Sequence, residues 1–390
     1  MSDNNKPAVG SRLRLLWACI VMLTSTAMVG GCSDGTDSTP VVGVDSLAIN
    51  QLQYLGTHNS YHIEPPPEIF DLLLAFIPDV APTLQYTHAP LAEQFSEQGI
   101  RQIELDIFAD PEGGLYADRQ ARTLFNEPAA SGLPELDEPG LKVLHVQEID
   151  YETTCLTFVI CLREVRQWSD DNPGHLPIMI LVEAKDDPIP DPLNLGFAVP
   201  LPFDREALGR IDAEIRSIFP DDRIILPDDV RGDAVTLELA VLTRGWPTLA
   251  EARGKVMFAL DNGGGKRDTY VEGHTSLEGR VMFTDSPPGT PEAAFMKRNN
   301  PLADPGEIEE LVRRGYLVRT RADADTEQAR SGDTTRREAA LASGAHFVST
   351  DYPVPDPRFT DYRVVLPGGG VARCNPIGPG ECTGVDESAF

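Results

Sequence analysis

The stretch from Ile100 to Ile107 constrains this chain more than any other. Ile103, Leu105 and Ile107 alternate there with Gln102, Glu104 and Asp106, the period-two pattern of a β-strand with two unlike faces. Residues two apart on a strand point the same way, so Glu104 and Asp106 aim side by side at whatever lies on the second face. Adjacent carboxylates repel unless a cation sits between them. A solvated strand face is the plain alternative, but three further segments bring groups that match the two acids.

Those segments are Gly56 to Ser60, Val143 to Gln147 and Ile178 to Lys185. In each, an apolar or strand-like run ends in His, Asn, Glu or Lys where a strand gives way to a loop. Polar groups at the C-terminal ends of parallel strands mark a (β/α)₈ barrel, so an α/β fold of the TIM-barrel type is expected. The strand ends supply Asn59, Glu104, Asp106 and Glu183 as hard oxygen donors, a set that suits Ca²⁺, with Mg²⁺ as the competitor, better than zinc. A barrel interior is dry, and acids gathered in it require either a metal or protonation. His58 and His145 remain as proton-handling groups beside the metal.

In this order, His58 and Asn59 at the end of the first strand, Glu104 and Asp106 on the second, His145 after the third and Glu183 after the fourth resemble a known catalytic barrel. It is that of the calcium-dependent phosphoinositide-specific phospholipases C, above all their secreted, single-domain bacterial branch. The resemblance runs from about Leu52 to Pro353. It implies a phosphodiesterase that cleaves phosphatidylinositol to diacylglycerol and inositol phosphate through metal-assisted attack by the inositol 2-hydroxyl. In that scheme His58 donates to a phosphoryl oxygen, His145 protonates the departing diacylglycerol oxygen, and a ligand carboxylate, Glu104, takes the hydroxyl proton. Lys185 is the expected phosphate contact, with pairing to Glu183 or Asp187 as the alternative. Arg319 and Arg321, on one face of a later strand, are either further cations for the substrate phosphate or members of a surface salt bridge.

Two other functions fit parts of the pattern. One is a metal-dependent glycerophosphodiester phosphodiesterase, a related barrel; Asn59 and Ser60 stand where that family has Arg and Gly after the first histidine. The other is a non-catalytic calcium-dependent barrel that binds phospholipid or inositol phosphate, which has no need of two imidazoles.

Charge narrows the partners. The formal net charge is −28, and Lys6, Arg12 and Arg14 against Asp3 make residues 1–31 basic, so a processed chain is more negative still. Nucleic acid is excluded for want of a basic footprint, and an anionic lipid must be held by local cations. Gly263 to Lys266 lacks the spacing and the terminal Ser or Thr of a nucleotide-binding loop and reads as a flexible loop. The partner expected is a phospholipid at a membrane surface, met by a monomer.

Arg12 and Arg14 precede an apolar run from Leu15 to Val29 that is too short to span a membrane and ends in Gly30, Gly31 and Cys32. This resembles a bacterial lipoprotein signal, which implies cleavage before Cys32 and its acylation, hence export and anchoring at the cell envelope. An ordinary signal peptide is the alternative. Residues 1–31 are thus the signal and 32–46 a flexible tether, polar and without period, while 47–390 form one catalytic domain. Four cysteines remain for disulfides; Cys155 with Cys161 and Cys374 with Cys382 are the simplest of three pairings.

Along the domain, strands are expected over residues 51–56, 100–107, 141–146, 177–183, 255–260, 281–284, 317–320 and 345–350. Helices are expected over 92–98, 156–169, 205–219, 307–314 and 334–343. Residues 63–90 and 188–202 form long loops over the catalytic face, the first carrying an apolar run that packs on the rim or touches lipid. The tail after Pro353 reads as irregular.

Overall fold

The computed structural model describes residues 44–378 and Val385. Among them are ten strands: β1 (Leu52–Thr57), β2 (Ile100–Phe108), β3 (Lys142–Val143), β4 (Ile178–Ala184), β5 (Val256–Leu260), β6 (Met282–Thr284), β7 (Phe295–Lys297), β8 (Leu317–Arg321), β9 (Phe347–Thr350) and β10 (Ala372–Cys374). Eight are parallel and follow one another in the order β6-β5-β4-β2-β1-β9-β8-β7. The ends of that order meet through one parallel bridge, Asp285 to Phe295. The result is a nearly closed (β/α)₈ barrel.

Two strands stand outside it. The third barrel strand expected over residues 141–146 is absent: only β3 is extended, and it runs antiparallel to the last residues of β2, Val143 opposite Ile107. Its place in the count is taken by β7, whose three residues are too few to show a period. In the tail expected to be irregular, β10 pairs antiparallel with the first half of β1, Leu52 opposite Cys374. It covers a backbone that β2 does not reach until Leu55.

Helices α2 (Leu91–Glu97), α3 (Phe158–Asp171) and α4 (Arg205–Ile218) form where the apolar periods place them, whereas α1 (Pro67–Phe76) lies within the stretch 63–90 read as a long loop. Thr157 caps α3 by accepting from the Ile160 amide, and Asp204 caps α4 by accepting from the Ala207 amide. Gly99 follows α2 with φ of 69°, the left-handed bend that stops a helix and turns the chain into β2. The glycine run read as a loop instead opens the helix Gly264–Val271; its place after a barrel strand outweighs the weak helix propensity of glycine.

β4 is an almost unbroken apolar run, Ile178 to Val182 being fully buried, as a strand covered on both faces requires. Gly56 allows the close approach of β1 and β2, since a Cβ there would fall on the Gln102 side chain. A second, smaller apolar cluster lies above the strand ends, where Ile69 and Leu73 of α1 meet Leu84, Phe108, Tyr116, Leu144 and Tyr151. The chain enters at the opposite end: Asp45 pairs with Arg253 at 2.9 Å, and the Ile49 amide donates to the Pro247 carbonyl, both just before β5. The last residues assigned to the tether are therefore docked on the barrel.

Candidate active site

All nine residues of β2 are buried. Its polar face therefore looks into the barrel rather than into water, and Arg319 proves it: β8 is three places from β2 around the sheet, yet the Arg319 guanidinium donates to Glu104 Oε2. Such a contact is possible only across the interior. Asp106 and Glu183 are register partners on β2 and β4. Carboxylate oxygens of Glu104, Asp106 and Glu183 all lie within 4.8 Å of one another.

Asn59 stands two residues past the end of β1. It takes φ of 44°, a left-handed conformation that asparagine tolerates, and the Ser60 amide beside it donates to the Glu104 carbonyl at 2.9 Å. Its Nδ2 donates to the Tyr86 hydroxyl at 3.1 Å, while its buried Oδ1 has no hydrogen-bond partner. Neither oxygen of Asp106 has one either, although Lys185 Nζ lies 3.2 Å from Oδ2. Buried acceptors without donors are costly, and three of them beside two more carboxylates make a donor set that fits a hard divalent cation.

Electrostatics point the same way. Burial, with Asp261 and Glu183 adding repulsion, lifts Glu104 to about 7 in spite of Arg319. Asp106 is raised well above the ordinary carboxylate range by burial, then by Glu183 and Glu104, with Lys185 opposing. Such acids gain from a cation in their midst.

Both candidate imidazoles are gripped by carboxylates. His58 Nδ1 lies 2.8 Å from Asp351 Oδ1, and its Nε2 is 3.2 Å from Arg321 Nη1 and 3.9 Å from Glu104 Oε1. His145 Nδ1 lies 2.6 Å from Asp150 Oδ2. Burial lowers both rings below the usual histidine range; Arg321 adds to the effect at His58, while Asp351 and Asp150 oppose it at their respective rings. Asp150 is held down at about 2 by the two histidines around it, against the upward pull of burial. With Nδ1 engaged, Nε2 is the nitrogen left for chemistry in His145, while in His58 it faces Arg321 and Glu104.

The arginines do not form a surface salt bridge. Arg319 is a buried partner of Glu104, and Arg321 Nη2 donates to Asp351 Oδ2 at 2.8 Å. Lys185 pairs with Asp106 rather than with Glu183 or Asp187. Lys297 of β7, which sequence reasoning missed along with its strand, contacts Asp261 and feels Glu104.

Two partners of the imidazoles carry no signal in the sequence: Asp351 simply follows the last strand, and Asp150 lies in an acidic run, Glu148 to Glu152, that has the composition of a solvated loop. Glu148 does not reach the site; its carboxylate accepts from the Ala121 and Ala198 amides and ties two loops together. His145 stands on the loop after β3, not on a barrel strand. Cys155 and Cys161 are disulfide-bonded just before α3. Cys374 is disulfide-bonded as well; Cys382 and Cys32 lie outside the described residues.

A family model described as calcium-dependent phosphoinositide phospholipase C matches residues 47–376. Among solved structures, the calcium-dependent phosphoinositol-specific phospholipase C of a Gram-negative Pseudomonas species, in its myoinositol complex, superposes with a TM-score of 0.51 at 16% identity, covering 85% of this chain and 96% of that one. The Ca²⁺-dependent phosphatidylinositol-specific enzyme of Streptomyces antibioticus gives 0.50 at 18%, covering 78% and 95%. At these identities the likeness speaks for the fold. No curated protein matches.

Proposed function

The chain belongs to the calcium-dependent phosphoinositide phospholipase C family, and on that premise we propose that Asn59, Glu104, Asp106 and Glu183 hold the calcium while His58 and His145 move the protons. It is a phosphodiesterase of the phospholipase C type. The observation that carries the residue assignment is the joining of three clustered carboxylates and an orphaned amide oxygen to two imidazoles, each braced through Nδ1.

Calcium, when bound there, supplies positive charge that acidifies the inositol 2-hydroxyl and offsets charge developing on the phosphoryl oxygens. The chain's own groups do the rest. Arg319 holds Glu104 Oε2, which leaves Oε1 to take the 2-hydroxyl proton as that oxygen forms its bond to phosphorus. His58, fixed by Asp351, presents Nε2 to a phosphoryl oxygen, with Arg321 adding charge beside it. His145, fixed by Asp150, gives the proton on Nε2 to the diacylglycerol oxygen as its bond to phosphorus breaks. The same nitrogen then takes a proton from water if the cyclic phosphate is opened. Lys185, 3.2 Å from Asp106, is the cation assigned to the substrate phosphate.

A membrane surface as the working partner is supported by the loops above the strand ends. Phe76 is 78% exposed, Val199 65% and Leu193 62%, and Leu74, Ile77, Val80 and Leu201 are exposed beside them. These stand on the connections after β1 and β4, the face on which the site opens.

The test uses purified protein with phosphatidylinositol vesicles and with glycerophosphocholine, each with calcium or a chelator. Release of inositol phosphate that needs calcium is expected, with the soluble diester left intact. His58→Ala and His145→Ala should lose turnover while still binding calcium; near-normal rates in either variant remove that histidine from the mechanism.

A further inference from the structure

We propose that His62, which touches neither the acids nor the site opening, is a positioning residue for His145 and acts through Asp150. The inference rests on the reading of His145 as the group that protonates the leaving oxygen.

His62 and Asp150 are without exposure, while His145 is about one-fifth exposed. His62 Nε2 lies 2.9 Å from both Asp150 oxygens, and Asp150 Oδ2 lies 2.6 Å from His145 Nδ1. On its other side His62 Nδ1 is 3.0 Å from the Tyr86 carbonyl. The ring stacks on Tyr86 at 4.2 Å, and the Tyr86 hydroxyl accepts from Asn59. Two histidines and an acid this close also resemble a zinc site, but the spacings decide against it. Ligands at about 2.0–2.1 Å around a tetrahedral ion stand about 3.3 Å apart, whereas contacts of 2.6–2.9 Å are hydrogen bonds.

Nε2 of His62 thus grips the Asp150 carboxylate from the far side, while Nδ1 ties the ring to the Tyr86 carbonyl. A carboxylate gripped from the far side cannot rotate. Its Oδ2 stays aimed at His145 Nδ1, which fixes the proton there and turns Nε2 to the reaction, the role that a buried aspartate plays in a hydrolase triad. His62 is thus a third member behind the pair.

The backbone builds this contact deliberately. Residues 61–63 run beside 152–154, with the Thr154 amide donating to the Tyr61 carbonyl and a bridge between His62 and Thr153. Val146 and Asp150 exchange backbone hydrogen bonds at 2.8 and 2.9 Å around Glu148, whose φ of 68° closes the tight loop. The loop after β1 is thereby stitched to the loop that carries His145.

His62→Phe and His62→Gln are the test, assayed with a water-soluble short-chain phosphatidylinositol and calcium. Phenylalanine keeps the ring and its stack but loses both nitrogens; glutamine places an amide N–H where Nε2 stood. His62→Phe should lower kcat about 100-fold, less than the roughly 10⁴-fold loss on replacing a triad aspartate, with KM and calcium affinity unchanged. His62→Gln should recover most of the rate. Full activity in His62→Phe overturns the proposal, and so does an equal loss in both variants. Full activity in His145→Ala instead shows that the reading of His145 itself has failed. A measurement on the unaltered protein is independent of how the variants fold: proton NMR should show slowly exchanging, downfield ring N–H signals from both His62 and His145, and their absence overturns the proposal.

Discussion

Asp351 does for His58 what Asp150 does for His145, but its surroundings differ. Its carboxylate lies between His58 Nδ1 and Arg321, which with His58 holds it far below the ordinary range against the pull of burial. The Asp323 carboxylate accepts from its backbone amide at 2.8 Å. Replacing it by asparagine keeps the volume but presents an amide to Nδ1, which can fix the wrong tautomer. Asp351→Asn should therefore lower kcat by about 10²- to 10⁴-fold, with calcium affinity within about twofold of the parent by isothermal titration. A rate within threefold would show that Arg321 and the backbone suffice to orient the ring.

Glu104 supplies a pH signature at the same scale. Its proton leaves the unfolded chain near 4.5 but the metal-free folded chain only near 7. An acid raised by folding costs stability as pH climbs through that interval, because the unfolded state releases its proton first. Calcium bound to the ionised acid offsets the cost. The rise in Tm on adding calcium should thus be larger at pH 7.5 than at pH 5.5 by calorimetry; equal rises at both values would mean that Glu104 does not hold the ion.

Among the elements, α1 has two faces with different duties. Ile69 and Leu73 close the small cluster above the strand ends, while Leu74 and Phe76 stand in water with Ile77 and Val80 just beyond. Burying such side chains in lipid is worth about 1.5–3 kcal/mol each. Leu74→Ser with Phe76→Ser should weaken binding to phosphatidylinositol vesicles in a sedimentation assay by about 10-fold or more, and leave hydrolysis of a monomeric short-chain substrate unchanged. Unchanged vesicle binding would assign membrane contact elsewhere. The elements also show why a strand was misplaced. Val143 to Gln147 carries an apolar run into a histidine, the same signature as the true strand ends, but a two-residue ribbon folded over β2 delivers His145 to the same face. β7, which replaces it in the barrel, has its register decided by β8 and not by any pattern of its own.

For the molecule as a whole, the direction of chain entry matters. Residues 44–51 join the barrel at the end away from the site. The first described residues and the loops that carry the exposed apolar side chains therefore lie at opposite ends of the barrel.

Alternation along β2 and the polar endings of β1 and β4 were legible in the sequence, because strand geometry fixes which side chains share a face. They were enough for the barrel and for the acids that gather in it. What each acid and each imidazole leans on was decided only in three dimensions. Arg319 reaches Glu104 across the interior, Asp351 meets His58 where the last strand closes on the first, and His62 meets Asp150 through two loops. Contacts between residues scores or hundreds of positions apart leave no period in a chain; they exist because closure of the sheet brings distant ends to one rim.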